Sequence, residues 1–329
     1  MPVKIGINGF GRIGRYLVRL MKDSNDVRIA VINARADNAT LAHLLKYDST
    51  HGHFPGEVSH DENGLIVDGR HIPVTRYPLG EWKWADYGVD IAVETSGKIK
   101  DRDGLAAHLA RGAKKALNSA PLKNADATIV MGVNENVYDP AKHDVVSAAS
   151  CTTNCLAPAT KVILDNFGIR HGLMTTIHSY TMSQRILDGT DKDLRRGRAA
   201  AVSMIPTTTG AAKAIGLVIP ELSGKLDGMA VRVPTPNVSI VDVVFELDKK
   251  ATAEEVNAML KAAANENMGY SEEPLVSIDY NGDTHGGVVD AMSTKVLDGT
   301  MLKLLVWYDN EAGFTNQLLR LIRHMAKSI

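Results

Sequence analysis

The sequence predicts an α/β protein in two parts: an N-terminal doubly wound parallel sheet, then an α+β domain on a mostly antiparallel sheet. Three observations carry this. Val3, Ile5 and Ile7 open the chain as a short strand that runs straight into a glycine-rich turn and an amphipathic helix. Strand and helix patterns then alternate up to residue 150, the order that yields βαβ units with right-handed crossovers. Beyond residue 151 long strands dominate, with few helices between them.

In chain order, Ile13, Leu17, Val18, Leu20 and Met21 space as one helix face. Val27–Ile32 is an apolar run that suits a strand covered on both faces. Ala39–Leu45 is helical, and Leu65–Val67 with Ile72–Val74 brackets Asp68-Gly69, a hairpin turn. Strands follow at Asp90–Glu94, Lys115–Leu117, Thr128–Val133 and Val145–Ala148, with a helix over Arg102–Arg111. In the second part a helix starts at Cys151 and leads to the strand Gly172–Ile177, then to an arginine-rich, loop-like segment, Tyr180–Ser203. Met229–Val233, Val238–Leu247, Gly287–Ala291 and Leu302–Trp307 read as strands, and Ala253–Ala264 and Phe314–Lys327 as helices.

Composition narrows the function. A chain of 329 residues can bury two cores. A net charge of −1 gives no basic excess to neutralise a phosphate backbone, so no nucleic-acid partner is expected. The two cysteines, four apart, build neither a disulfide framework nor a four-thiolate zinc site. The eleven histidines show no ligand spacing, so no metal is expected. No apolar run approaches ~18 residues, and a strand pattern begins at once after Met-Pro-Val-Lys, without a signal-peptide pattern. The expectation is a cytoplasmic enzyme acting on small molecules.

The most informative stretch is Ser150-Cys151-Thr152-Thr153-Asn154-Cys155. It places Cys151 at a helix N-terminus, where unpaired N–H groups and the macrodipole favour a thiolate, the nucleophilic form. His178 ends a strand in the same half, and the two residues form a minimal thiolate–base pair. Gly9-Phe10-Gly11-Arg12-Ile13-Gly14 follows a strand and opens a helix inside a βαβ unit, the context in which G-x-G-x-x-G binds a dinucleotide pyrophosphate. The second strand then reads out into Asn33-Ala34-Arg35-Ala36-Asp37. Ala34 stands where a carboxylate would bond the ribose, and losing that charge-assisted bond costs about 1.5–3 kcal/mol. Arg35 suits a 2′-phosphate, so NADP is expected to serve at least as well as NAD. The alternative is that Arg35 faces solvent while Asp37 or backbone serves the ribose. Arg195, Arg196, Arg198 and Arg232, with Thr181, Thr207, Thr208 and Thr209, suit anionic substrate groups, and Thr209-Gly210 leads into a helix over Ala211–Val218.

With these residues the chain resembles phosphorylating glyceraldehyde-3-phosphate dehydrogenases along nearly its whole length. The carriers are the stretches from Ile7 to Arg15 and Ser150 to Cys155, His178-Ser179-Tyr180-Thr181, Arg198–Lys213 and Arg232–Ser239. The resemblance implies that Cys151 attacks the aldehyde, that His178 is the base, and that phosphate releases a thioester as 1,3-bisphosphoglycerate. It implies that Thr181 and Arg232 hold the C3 phosphate, and that Ser150, Thr152, Thr209, Gly210 and Arg196 hold the attacking phosphate. It adds Arg76, Thr95, Gly97, Ser119 and Asn310 to the cofactor residues Gly9, Gly11, Arg12, Ile13, Gly14, Asn33, Ala34 and Arg35. It implies a homotetramer with Tyr180–Ser203 at an interface, a dinucleotide domain over 1–150 joined by the helix 315–329, and a catalytic domain over 151–314.

Three positions depart from the family's pattern: Ala34; Ala312 and Phe314, in place of tryptophan and tyrosine; and Ser183, in place of a frequent carboxylate. Ala312 is expected to leave a cavity or loosen the loop near the nicotinamide. The rival enzyme reading is an erythrose-4-phosphate dehydrogenase, and the rival class is a non-catalytic dinucleotide-binding regulator.

Overall fold

Val3–Asn8 pairs in parallel with Val27–Asn33 on one side and Ile91–Glu94 on the other. It sits inside a nine-stranded sheet in the computed structural model of the protein, which describes residues 2–329. From one edge the order is Ala127–Thr128, Val145–Ser147, Lys115–Asn118, Ile91–Glu94, Val3–Asn8, Val27–Asn33 and Arg70–Thr75, all parallel. Gly64–Val67 and Val58–His60 extend the other edge antiparallel. The central strands carry Ile5, Ile7, Val31, Ile32, Ile91, Ala92 and Val93, all fully buried, which explains their unbroken apolar runs. The chain leaves Val3–Asn8 toward one side and later returns on the other. Its C-terminal end is therefore a topological switch point, where open α/β sheets bind ligands.

This sheet belongs to a unit of residues 1–129, 134–149 and 318–329, and the second unit spans 130–133 and 150–317. The second unit holds an eight-stranded sheet ordered Ile205–Thr208, Leu226–Val233, Ile169–Ser179, Ser239–Leu247, Met301–Tyr308, Gly287–Asp290 and Met268–Ser271, with Lys295–Leu297 also on Met301–Tyr308. Most pairs are antiparallel. Two are parallel, Ile169–Ser179 with Leu226–Val233 and Met268–Ser271 with Gly287–Asp290. Ser239–Leu247 alternates buried and half-buried residues, as a strand covered more on one face does. The helix Cys151–Phe167 packs on this sheet within the same unit.

Two sequence readings change. Thr128–Val133 is a strand only at Ala127–Thr128, because the chain turns at Gly132, whose φ is +82° and where a Cβ would lie 2.8 Å from Asn267. Arg102–Arg111 splits into an α-helix, Arg102–Ala106, and a 3₁₀ turn, Leu109–Arg111, that tightens into Gly112 at φ +96°. Among the described residues no helix is long and apolar enough to cross a membrane.

Candidate active site and dinucleotide cleft

Strand register builds the centre of the second unit. His178 is the cross-strand partner of Arg232, so both side chains emerge side by side. Cys151 is the first residue of its helix, and Ser150 caps it by accepting from Thr153 N at 3.0 Å. Cys151 Sγ lies 3.5 Å from His178 Nε2. Arg232 Nη1 stands 2.7 Å from His178 Nδ1 and 3.0 Å from the Ser179 carbonyl oxygen. Beneath them the buried Tyr308 hydroxyl joins Thr152 Oγ1 at 2.9 Å to Thr176 Oγ1 at 2.7 Å, tying the start of the helix to the strand that carries His178.

Burial, then the Arg232 guanidinium, drives the His178 pKa down to about 3, while the Ser179 carbonyl opposes this. His178 is therefore neutral near pH 7. Burial pushes the Cys151 thiol up, against the thiolate expectation, and Arg232 and Thr152 pull it down. Cys151 is only half-buried by its surface, so burial acts less than for an enclosed thiol, and the helix N-terminus adds to the pull of Arg232.

Among the other anion-binding candidates, only Arg196 is tied to this centre by an electrostatic interaction, and the rest keep local partners. The positive charge of Arg196 is felt at Arg232 and lowers its pKa, second to burial among the lowering causes. Arg196 also pairs with Asp193 at 3.2 Å, a carboxylate that accepts from Thr207 Oγ1 as well. Thr181 Oγ1 is 2.9 Å from Ser183 Oγ. Thr209 Oγ1 accepts from Ala211 N, which leaves Gly210 at the N-cap of Ala211–Val218. Asn310 Oδ1 accepts from Ser179 Oγ at 2.8 Å and Ser239 Oγ at 2.9 Å, so its amide NH₂ is held in one direction. Tyr308, Thr176 and Ser239 were not singled out from the sequence. The signal for Thr176 was available, since it lies two residues before His178 and so on the same strand face.

The first unit carries a cleft of about 570 Å³ at the switch point. Asn8, Gly9, Gly11, Ala34, Arg35 and Thr95 line it, with Tyr77, Leu79, Trp82, Ser96 and Lys98, which sequence patterns did not reveal. Gly9 has φ +100°, and a Cβ at Gly14 would lie 2.5 Å from the Gly9 oxygen, so both glycines are required. No side chain caps the helix Arg12–Leu20, and nothing lies within 4 Å of a Cβ built at Gly11. This open cradle of N–H groups fits a pyrophosphate. The Arg12 guanidinium pairs instead with Asp48, which leaves the backbone at Arg12 and Ile13 to face a ligand. Thr95 Oγ1 donates to Gly9 O at 2.8 Å and clasps the loop.

At the ribose end Ala34 is buried and Arg35 is exposed. The Asp37 carboxylate accepts from Thr40 N and Thr40 Oγ1 at 2.8 Å each, capping the helix Asn38–Lys46. Arg76 donates to Ala36 O and Asn38 Oδ1. It does not line the cleft, nor do Gly97 and Ser119. Under the cleft Glu94 is fully buried and accepts from Asn8 Nδ2, His108 Nε2, Ser96 N and Ser96 Oγ. His108 Nδ1 accepts from Trp84 Nε1, so its proton sits on Nε2. Burial alone would raise the Glu94 pKa, but these donors outweigh it and hold the carboxylate ionised.

Residues 3–102 match the family described as glyceraldehyde 3-phosphate dehydrogenase, NAD binding domain, and residues 150–310 match its C-terminal domain. The chain is 57% identical to the glyceraldehyde-3-phosphate dehydrogenase of Geobacillus stearothermophilus, covering 99% of each chain. It is 55% identical to glyceraldehyde-3-phosphate dehydrogenase 1 of Bacillus subtilis (strain 168), again over 99% of both. The chain belongs to the glyceraldehyde-3-phosphate dehydrogenase family. As in that family, the cofactor is a nicotinamide dinucleotide.

Two of the departures from the glyceraldehyde-3-phosphate dehydrogenase pattern lie in the second unit. Ala312 is fully enclosed and opens the helix Ala312–Ala326, with its N–H and that of Glu311 on Asp309 Oδ1 at 2.8 Å. The expected loosening is therefore offset, because Asp309 pins the turn and also accepts from Asn237 Nδ2 and Gly282 N. Ser183 is exposed, and its hydroxyl bonds that of its neighbour Thr181.

Proposed function

We propose that the protein oxidises D-glyceraldehyde 3-phosphate in the presence of inorganic phosphate to 1,3-bisphosphoglycerate. The observation that carries this is the 3.5 Å approach of Cys151 Sγ to His178 Nε2 beside Arg232. Cys151 attacks the aldehyde carbon, and His178 takes the proton as the hemithioacetal forms. A nicotinamide dinucleotide, when bound, would supply the acceptor for the hydride of this carbon. Phosphate then attacks the thioester and releases Cys151. Thr181 and Arg232 hold the substrate's C3 phosphate, while Ser150, Thr152, Thr209, Gly210 and Arg196 hold the attacking phosphate. Gly9, Gly11, Arg12, Ile13 and Gly14 would hold the pyrophosphate through backbone, and Asn310, fixed by Ser179 and Ser239, would orient the nicotinamide amide. Relatives named as glyceraldehyde-3-phosphate dehydrogenases give no support to the erythrose-4-phosphate reading.

NADP serves at least as well as NAD in this reading. Support comes from Ala34, which offers the ribose no carboxylate, and from Asp37, whose carboxylate is engaged in capping its own helix. Arg35 lines the cleft beside Ala34 and suits a 2′-phosphate. Initial rates with each cofactor test it. Ala34→Asp is expected to lower kcat/KM with NADP by at least tenfold and leave or improve that with NAD; unchanged NADP turnover sinks this reading of the pocket. The working form is a homotetramer, and burial of the exposed apolar side chains of Met182, Ile186, Leu187, Leu194 and Met204 at an interface supports assembly.

A further inference from the structure

The sheet of the first unit parts at one end. Val27–Asn33 and Arg70–Thr75 are neighbouring parallel strands, yet their register runs only over Ile32 with Val74 and Asn33 with Thr75. Two features stop the ladder there. Val74 N donates to Asn63 O on the hairpin side, so by strand alternation the backbone nitrogen of residue 73 points toward Val27–Asn33. Residue 73 is a proline and has no N–H to give. On the facing strand, the pairing with Val3–Asn8 steps from Ile29 to Val31 and leaves Ala30 as a bulge. A cavity of about 540 Å³ fills the resulting wedge, between residues 27–30 of one strand and 70–73 of the other. It lies at the N-terminal ends of these strands, whereas the dinucleotide cleft takes in Asn33 and Ala34 at the C-terminal end.

The volume is that of a small-molecule site. Its apolar lining includes the buried Val27, Val67 and Ile72 and the half-buried Tyr87. Its charged lining is basic: Lys22, Arg28, Arg70 and His71, with no carboxylate. Lys22 Nζ lies 3.6 Å from Asp68 Oδ2, and His71 Nε2 lies 3.1 Å from Asp61 Oδ1, so these two have acidic partners. The two arginines do not. Among the described residues the Arg28 guanidinium has no hydrogen bond or ion pair, and that of Arg70 meets only Lys22 O, at 3.4 Å. A guanidinium fork matches carboxylate or phosphate oxygens and stacks on flat rings. We infer that the wedge is a second ligand site, for a small flat anion: an aromatic ring that enters between the parted strands, with a carboxylate or phosphate held by Arg28 and Arg70. The strand edges left off the ladder offer N–H and C=O groups to polar atoms of the ring. This site goes beyond the proposed function and does not depend on it, because neither arginine takes part in that reaction.

The test uses the full-length protein saturated with NAD, so that the dinucleotide cleft is filled. The probes are 4-iodobenzoate and phenyl phosphate. Calorimetry reads affinity, and iodine anomalous scattering from a crystal soaked in 4-iodobenzoate reads position. The iodobenzoate is expected to bind with its iodine in the wedge between Ala30 and Pro73. Neutral 4-iodobenzamide, of the same shape, is expected to bind at least tenfold more weakly. Arg28→Glu with Arg70→Glu is expected to weaken iodobenzoate binding at least tenfold, with kcat on D-glyceraldehyde 3-phosphate unchanged. The milder Arg28→Gln with Arg70→Gln is expected to act in the same direction. Displacement of iodobenzoate from the wedge by phenyl phosphate extends the site to phosphate head groups, and retention restricts it to carboxylates. Silence of both probes, affinity indifferent to the two arginines, or iodine bound elsewhere overturns the site. An iodine peak in the wedge without binding in solution also counts against it.

Discussion

Cys151 and His178 show how little of a residue's chemistry lies in its own identity. Each is an ordinary side chain until a helix start and a strand end bring Sγ within 3.5 Å of Nε2. His178→Asn removes the general base and is expected to lower kcat by roughly 10²–10⁴-fold. The same substitution has a second signature in stability. The ordinary histidine value is 6.5, and burial with Arg232 brings His178 down to about 3 in the folded chain. Between those values the unfolded chain binds more protons than the native one. Stability is therefore complete above pH 6.5 and falls as pH drops toward 3, by up to about 1.4 kcal/mol per unit. Urea titrations from pH 7.5 to 5 are expected to show this slope in the wild type and a flatter one in His178→Asn. Equal slopes would mean that His178 is not desolvated. The cysteine, the histidine and the glycine fingerprint were legible because each depends on local order along the chain. Tyr308, Trp82 and Lys98 were not, since their roles come from strand pairing and loop closure that no short pattern records.

The strand Ile91–Glu94 ends in a buried carboxylate that accepts from four donors. Glu94→Gln would turn its amide NH₂ either toward Asn8 Nδ2 and His108 Nε2–H or toward Ser96 N, so at least one donor meets a donor in either orientation. The expected loss is about 1–3 kcal/mol for each polar group left unpaired, read by urea denaturation. Dinucleotide affinity should fall as well, because Asn8, Ser96 and Trp82 line the cleft. Wild-type stability in Glu94→Gln would show that the site relaxes to satisfy the amide. At this scale the sequence marks element starts better than short edges. The hairpin is read correctly from Asp68 and Gly69, which adopt φ +46° and +74°. The edge strands Val58–His60 and Ile205–Thr208 escape the sequence, being short and without clean alternation. Their strand character comes from neighbours, not from local propensity.

The whole molecule exposes an apolar segment that a monomer would not retain cheaply in water. Met182 is 92% exposed and Leu194 86%. Sedimentation is expected to report a tetramer, and Leu194→Asp with Ile186→Asp is expected to yield smaller species. A wild-type monomer at micromolar concentration would contradict the assembly. The central claim concerns Cys151 as an acyl carrier that only phosphate discharges. Its most direct test is rapid mixing of enzyme, NADP or NAD and D-glyceraldehyde 3-phosphate with phosphate omitted, with the protein's mass recorded afterwards. The account predicts a burst of about one reduced cofactor per chain, an acyl adduct on Cys151, and steady turnover only once phosphate is added. No burst, or turnover indifferent to phosphate, would contradict it.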